Sequence, residues 1–349
     1  MMPKVFAVTF TRMSTELARI SDQPQALGSQ LATAADNVAR YLKLGLEGAD
    51  NTVLAYSADL KSFGEYCEAN GLCPLPADVA TVARYAADLA DIPRKLSTIK
   101  RHLAAIHKHH QLRGYPSPVH SEELALVLEG ITRALGKRQK QAPAFTVDEL
   151  KESIRRLDVT TTAGLRDRAL LLLGFAGAFR RSELVALNVE HLEFTERALI
   201  VHLPKSKTNQ AGEAEDKAVF YASTASFCPV RCTRAWVQQL GRSTGPLFVS
   251  LKRGKVKGEA LPTQKRLSAL RVNGLVQLHL NHDEEGHKIP EKNYSAHSLR
   301  VSFITVSVLR GQSNRFIKNQ TKQKTDAMID RYSRLDDVVS FNAAQNLGL

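Results

Sequence analysis

The chain has 349 residues, a formal net charge of +13 and a pI of about 9.6. That length accommodates two ordinary domains or one large one, with a core that needs no disulfide support. The positive excess favours an anionic partner, nucleic acid ahead of an acidic membrane. Four cysteines (Cys67, Cys73, Cys228 and Cys232) are too few for a disulfide framework, and no histidines accompany them at zinc-finger spacing. Free thiols in a reducing compartment are expected, with no structural metal. The most apolar run, residues 169–179, is too short to span a bilayer. The first residues lack the charged start, apolar block and small-residue cleavage site of a secretory signal. A cytoplasmic protein without a membrane partner is expected.

Residues 1–24 read as a flexible arm, and 25–135 as a mostly helical domain. Residues 29–45 are amphipathic and Ala-rich; a second helix is expected over 52–70, with Asp50 or Asn51 as its cap. Gly71, Pro74 and Pro76 mark a turn, after which helical spacing resumes over 78–89 and again over 97–111. In that last helix Ile99, Leu103 and Ile106 form one stripe, while Lys100, Arg101 and Lys108 lie on another face. Residues 92–120 hold six Lys/Arg, five His and no acid. A solvated helix face normally mixes signs, because opposite charges at i and i+4 support each other. A one-signed face points to a polyanion. Candidate DNA contacts are therefore Ser97, Lys100, Arg101 and Lys108, with Thr52, Tyr56 and Lys61 on the preceding helix. A further amphipathic helix is expected over 122–135.

Residues 136–145 are polar, basic and closed by Pro143, which is linker composition, and Lys137 and Arg138 there are further candidate phosphate contacts. The second domain is expected over 146–349. Thr146 followed by Glu149 is a capping-box start. An apolar helix over 167–176 and a short one over 181–187 follow. Residues 198–203 read as a strand and 217–221 as its partner, with a polar excursion over 205–216 between them. Pro229 suits a first helical turn, and everything beyond it is expected to be helical, apart from a basic loop over 252–258. The fold class is thus mainly α in two domains, the second with a small β-sheet.

Within the second domain four residue types recur in an order that suits phosphodiester chemistry. Breaking such a bond requires charge neutralisation on the non-bridging oxygens, a nucleophile and a proton for the leaving oxygen. Arg180 and Arg300 present planar forks that bind two phosphate oxygens. His297 lies three residues before Arg300, on one helix face with it. Tyr332 is a candidate covalent nucleophile. Arg331 and Arg334 beside it, with further cations upstream, favour the phenolate. Lys207, in the excursion after the strand, is a candidate general acid, with Lys205 beside it.

Together, Arg180, Glu183, Lys207, His297, Arg300 and Tyr332 resemble the active-site set of the tyrosine recombinases, the phage-integrase family, in its Cre-like branch. The match is carried by residues 174–188, the Ser206-Lys207-Thr208 hairpin, residues 296–301 and residues 329–334. Residues 140–145 resemble the family's entry to the catalytic domain, and the likeness extends over roughly 28–349. It implies a helical, SAM-like core-binding bundle joined to an α-rich catalytic domain, forming a C-shaped clamp on DNA. By the same likeness, Arg180 and Arg300 hold the scissile phosphate and Lys207 protonates the leaving 5′ hydroxyl. His297 assists proton transfer, Glu183 orients its neighbours, and Tyr332 forms a 3′-phosphotyrosine. The family needs no metal, cofactor or external energy. It acts as a homo-tetramer on double-stranded DNA bearing inverted-repeat sites, from protomers that are monomeric or weakly associated when free. A tail helix carrying Val338, Val339, Phe341, Ala344 and Leu347 would dock on the next subunit. One position departs from the pattern: nine residues before the nucleophile, where the family has His or Trp, stands Gln323, flanked by Lys322 and Lys324. Its amide still donates to a phosphate. The departure bears on rate more than on the reaction, and leaves room for an accessory factor. The competing reading is a DNA-binding accessory protein of the same fold with weak or no cleavage.

Overall fold

The computed structural model describes residues 50–92, 94–136, 142–203, 215–254, 260–323, 325–326 and 329. The expected arm, the 29–45 helix and the tail helix lie outside the described residues. The chain divides into two compact units, one up to Gln139 and one from Lys140.

The first unit is built from α1 (Asp50–Asn70), α2 (Val79–Asp91), α3 (Leu96–Leu112) and α4 (Glu122–Leu135). Asp50 and Asn51 belong to α1, which begins two residues before the expected start rather than being capped by them. Gly71, at φ 66°, turns the chain so that the Leu72 N–H reaches the Cys67 carbonyl at 2.8 Å, closing α1. Asp78 caps α2 by accepting the Thr81 N–H at 2.6 Å. The Ile99, Leu103 and Ile106 stripe packs against Phe63, Val82 and Tyr85 in the core.

The α3 histidines differ from expectation. His110 accepts the Ala77 N–H at Nε2 (3.0 Å) and so donates from Nδ1 to the Ile106 carbonyl (2.8 Å). Buried His102 lies between the Tyr85 hydroxyl (2.9 Å) and the Asp59 carboxylate (3.1 Å). His109 is pushed down to about 4, first by burial and then by Arg113 and His110, and is uncharged at neutral pH. Part of the histidine-rich face is therefore core and not a charged surface.

The second unit opens with α5 (Val147–Arg155), and both halves of its expected capping box form: the Glu149 N–H donates to Thr146 Oγ1 at 3.2 Å, and the Thr146 N–H to Glu149 Oε2 at 2.8 Å. Helix α6 (Thr162–Ala176) starts five residues before the expected 167, at a cap supplied by Thr161. It is the central helix: Leu170, Leu171, Leu172 and Leu173 are all buried, which flattens its periodicity. Then come α7 (Arg181–Ala186) and a three-stranded antiparallel sheet of β1 (Leu192–Phe194), β2 (Ala198–Leu203) and β3 (Glu215–Phe220), in that order. Glu215 and Asp216, expected in the polar excursion, belong to β3, where Val201 stands opposite Lys217 and Leu199 opposite Val219.

Helix α8 (Pro229–Leu240) has its proline at the first turn, as expected. The stretch after it does not continue as helix. Val249–Arg253 (β4) and Ala260–Arg266 (β5) pair antiparallel as a second, two-stranded sheet, so Lys252 and Arg253 are strand residues and not loop. Pro262 is tolerated there because a two-stranded sheet consists of edges. Helices α9 (Ala269–Leu280), α10 (Ala296–Leu309) and α11 (Asn314–Thr321) complete the unit. No helix among the described residues is long and apolar enough to cross a membrane.

Candidate active site

The site grows from the turn between α6 and α7. Gly177 caps α6, Ala178 takes a left-handed conformation at φ 47°, and Phe179 turns back into the core. A Cβ on Gly177 would stand 2.0 Å from the Phe179 ring, so only glycine leaves room for that ring. Arg180 then opens α7. Its backbone N–H donates to Glu183 Oε2 at 3.0 Å and its Nη1 to Glu183 Oε1 at 2.5 Å. Glu183 is almost wholly buried, whereas the Arg180 side chain keeps 28% of its surface exposed. The carboxylate thus orients a guanidinium that stays partly exposed.

Helix α10 supplies the second cation. Its first turn is held by the Ser295 N–H on Ser298 Oγ (3.0 Å) and the Ala296 N–H on Asn273 Oδ1 (2.9 Å). Arg300 is 3% exposed. It donates from Nη1 to the Ala178 carbonyl at 2.8 Å and from Nη2 to the Thr321 carbonyl at 2.6 Å. Those two bonds tie α10 to the α6–α7 turn and to the end of α11. His297, one turn earlier, is exposed. Partial desolvation of its ring, then the charges of Arg300, Arg180 and Arg181, hold its pKa below the ordinary imidazole value. At neutral pH it is an uncharged imidazole, able to donate and to accept.

Past α11, Lys322 adopts a left-handed conformation at φ 54° and Gln323 turns inward, 7% exposed. The Thr321 hydroxyl gives its single proton to the Ile317 carbonyl at 2.8 Å, so its oxygen is left to accept from the Gln323 amide, 3.2 Å away. Thr321 is therefore shared: its carbonyl holds Arg300 and its hydroxyl oxygen faces the Gln323 amide.

Beneath these groups lies Lys217 of β3, which was not among the sequence candidates. Its side chain has no exposed surface. Its signal was present in the pattern: Lys217 and Val219 share the inward register of β3, and a lysine on an inward face requires a partner. Glu183 is that partner, at 3.3 Å. Burial raises the Glu183 pKa more than any other single effect, but Lys217, the Arg180 N–H and the Arg180 charge together outweigh it, and the net shift is downward. Glu183 is ionised at working pH.

The structure brings together Arg180, Glu183, His297, Arg300 and Gln323 of the expected catalytic set. Lys207 and Tyr332 lie outside the described residues, as do Lys137, Arg138, Lys205 and Lys324. The remaining DNA-contact candidates belong to the helical unit. Thr52 and Tyr56 are half-buried on α1, and exposed Lys61 lies 3.7 Å from Glu65. Ser97 and Lys100 are exposed on α3 and Lys108 is half-buried. Arg101 is committed to a partner: its Nε and Nη2 grip both oxygens of Asp59, at 2.7 and 2.9 Å. The face that looked one-signed along the sequence takes its acid from α1.

Comparison with known proteins agrees with this geometry. The Phage integrase family model matches residues 144–338, and the model of the family's N-terminal SAM-like domain matches residues 38–113. An integrase/recombinase XerD homolog of Selenomonas ruminantium is 32% identical over 302 residues, 86% of each chain. The recombinase Cre of Escherichia phage P1 is 23% identical over 254 residues, 69% of this chain and 71% of its own. Among solved structures, the XerH site-specific recombinase bound to a palindromic difH substrate aligns with a TM-score of 0.59 at 14% identity, covering 82% of this chain and 79% of that one. A lambda integrase tetramer bound to a Holliday junction aligns with a TM-score of 0.55 at 16% identity, covering 90% and 79%. The chain belongs to the phage integrase family, the tyrosine-type site-specific recombinases.

Proposed function

We propose that this protein cuts and rejoins DNA strands at specific sites through a covalent 3′-phosphotyrosine on Tyr332. The observation that carries this reading is the convergence of Arg180, from the start of α7, with His297 and Arg300, from the first turns of α10, on a turn braced from below by Glu183. Two fixed guanidiniums neutralise a phosphodiester where charge develops in the transition state. An imidazole held neutral takes and returns a proton, and the Gln323 amide supplies a further donor to the phosphate. Lys207 is assigned the proton for the leaving 5′ hydroxyl, and Tyr332 the attack. The phosphotyrosine conserves the energy of the broken bond, so religation needs no external source.

The substrate is double-stranded DNA carrying inverted-repeat sites, and the working assembly is a homo-tetramer acting in a prokaryotic cytoplasm. The DNA-bound and tetrameric states of the structural neighbours support this assembly. So does an apolar groove of about 950 Å³ in the catalytic unit, lined by Phe175, Phe220, Phe303 and Phe316 among others. Its assigned occupant is the apolar stripe of residues 338–347 from a second copy.

A suicide substrate, which traps the covalent intermediate, tests the reading. The wild-type chain is expected to form a protein–DNA adduct, and Tyr332→Phe to bind equally and form none. An adduct with Tyr332→Phe would remove Tyr332 as nucleophile. Tight binding without any wild-type adduct would instead identify a DNA-binding accessory protein. On a two-site substrate, a chain ending at Asp336 is expected to bind and cleave but not to assemble; tetramers formed without the tail would refute the groove assignment.

A further inference from the structure

Lys217 is the one described cation of the second unit that is both wholly buried and in contact with the active-site turn. Its Nζ has three protons and three oxygen acceptors: the Gly177 carbonyl at 3.0 Å, the Ala178 carbonyl at 3.2 Å and Glu183 Oε2 at 3.3 Å. The Phe179 ring lies 4.5 Å away. All four partners fall within residues 177–183, the segment that presents Arg180.

The Ala178 carbonyl is the junction. It receives Lys217 Nζ from β3 and Arg300 Nη1 from α10, at 3.2 and 2.8 Å. Ala178 has a Cβ and sits at φ 47°, a left-handed conformation that is unfavourable for an L-residue. Two charge-assisted hydrogen bonds to its carbonyl offset that strain and fix the direction of the turn. Glu183 is shared in the same way, between Lys217 from below and Arg180 from above.

Stability alone is a weak reason for this lysine. Burying an ammonium carries a large desolvation penalty, and an apolar side chain of similar volume fills such a space at less cost. Burial is also the first cause that brings the Lys217 pKa down to about 8, against the opposing charge of Glu183. What an apolar residue lacks is the ability to hold two carbonyls and a carboxylate at once.

We propose that Lys217 is a positioning residue for strand cleavage: its ammonium locks the Gly177-Ala178 turn and Glu183 so that Arg180 and Arg300 keep one phosphate-binding geometry. It touches neither DNA nor the reacting atoms, and this role rests on the recombinase reading above.

The experiment separates binding from chemistry in the full chain, by measuring DNA affinity and single-turnover cleavage of the suicide substrate for wild type, Lys217→Met and Lys217→Gln. Misplacing a reacting group by an ångström costs on the order of 10²-fold in rate. Lys217→Met is expected to bind DNA with unchanged affinity and to cleave about that much more slowly. Lys217→Gln, which keeps an amide donor for the two carbonyls, is expected to lose less, and it carries the test if the methionine variant fails to fold. A folded variant that cleaves at the wild-type rate overturns the proposal. So does a loss of affinity that accounts for the whole loss of cleavage, since that is the signature of a structural role alone. A wild-type chain that forms no adduct refutes the recombinase reading itself, and this role with it.

Discussion

On the reading proposed above, Gln323 takes the place of a histidine or tryptophan, and its surroundings explain how an amide would serve there. Its amide meets the Thr321 hydroxyl oxygen, whose proton is held by the Ile317 carbonyl, and Thr321 also anchors Arg300. The amide NH2 has one proton for Thr321 Oγ1 and a second to offer a phosphate. A protonated histidine offers the same pair of donors, one nitrogen toward Thr321 Oγ1 and the other toward a phosphate. Gln323→His is therefore expected to retain or raise the single-turnover cleavage rate. An abolished adduct would show that glutamine performs a task histidine does not. Arg101 makes the opposite point. Its charge looked available to DNA, yet Asp59 holds its fork in a two-pronged ion pair. Its planar group is oriented by the fold before any phosphate arrives.

At the scale of elements, the active site depends on one tight turn between two helices. Gly177 has an ordinary negative φ of −82°, so the need for glycine is spatial and not conformational. The Phe179 ring occupies the space a Cβ would take, and the same ring lies beneath Lys217. Gly177→Ala is expected to push Phe179 from its site, to destabilise the chain by about 1–3 kcal/mol, as overpacking of a dense core does, and to slow cleavage by displacing Arg180. Chemical denaturation read beside the cleavage assay checks both halves; an unchanged midpoint with full activity would mean that the ring has somewhere else to go. The β4–β5 sheet shows where element-level expectation fell short. Its strands are short and rich in Lys, Arg and Thr, and they pair chiefly with each other, so their signal is weak in any local window.

For the whole molecule, the dominant quantity is the net charge of +13. A protein that neutralises many phosphates releases their counterions, and its affinity falls with a steep power of salt concentration. If DNA is gripped through 6–10 phosphates, raising salt from 50 to 200 mM is expected to weaken binding by about 10³–10⁵-fold. A titration across that range with site-bearing and unrelated duplexes checks this; a flat response would remove the polyanion reading of the α1 and α3 cations. The Asp59 pair and the buried histidines already lower the number of charges those helices have to offer.

The sequence by itself marked the ordered set Arg180, Glu183, Lys207, His297, Arg300 and Tyr332 as candidates, and determined the helical character of both units, the Thr146 cap and the Pro229 helix start. Each of these is a local pattern, legible within a few residues or as an order along the chain. Only the tertiary structure decided what holds Arg180, Glu183 and Arg300 in place. Lys217 meets Glu183 across 34 residues, Arg101 meets Asp59 across 42, and Arg300 meets the Ala178 carbonyl across 122. A buried charge is recognised by its partner, and over such separations the partner is chosen by packing and strand register, which no local window of sequence contains.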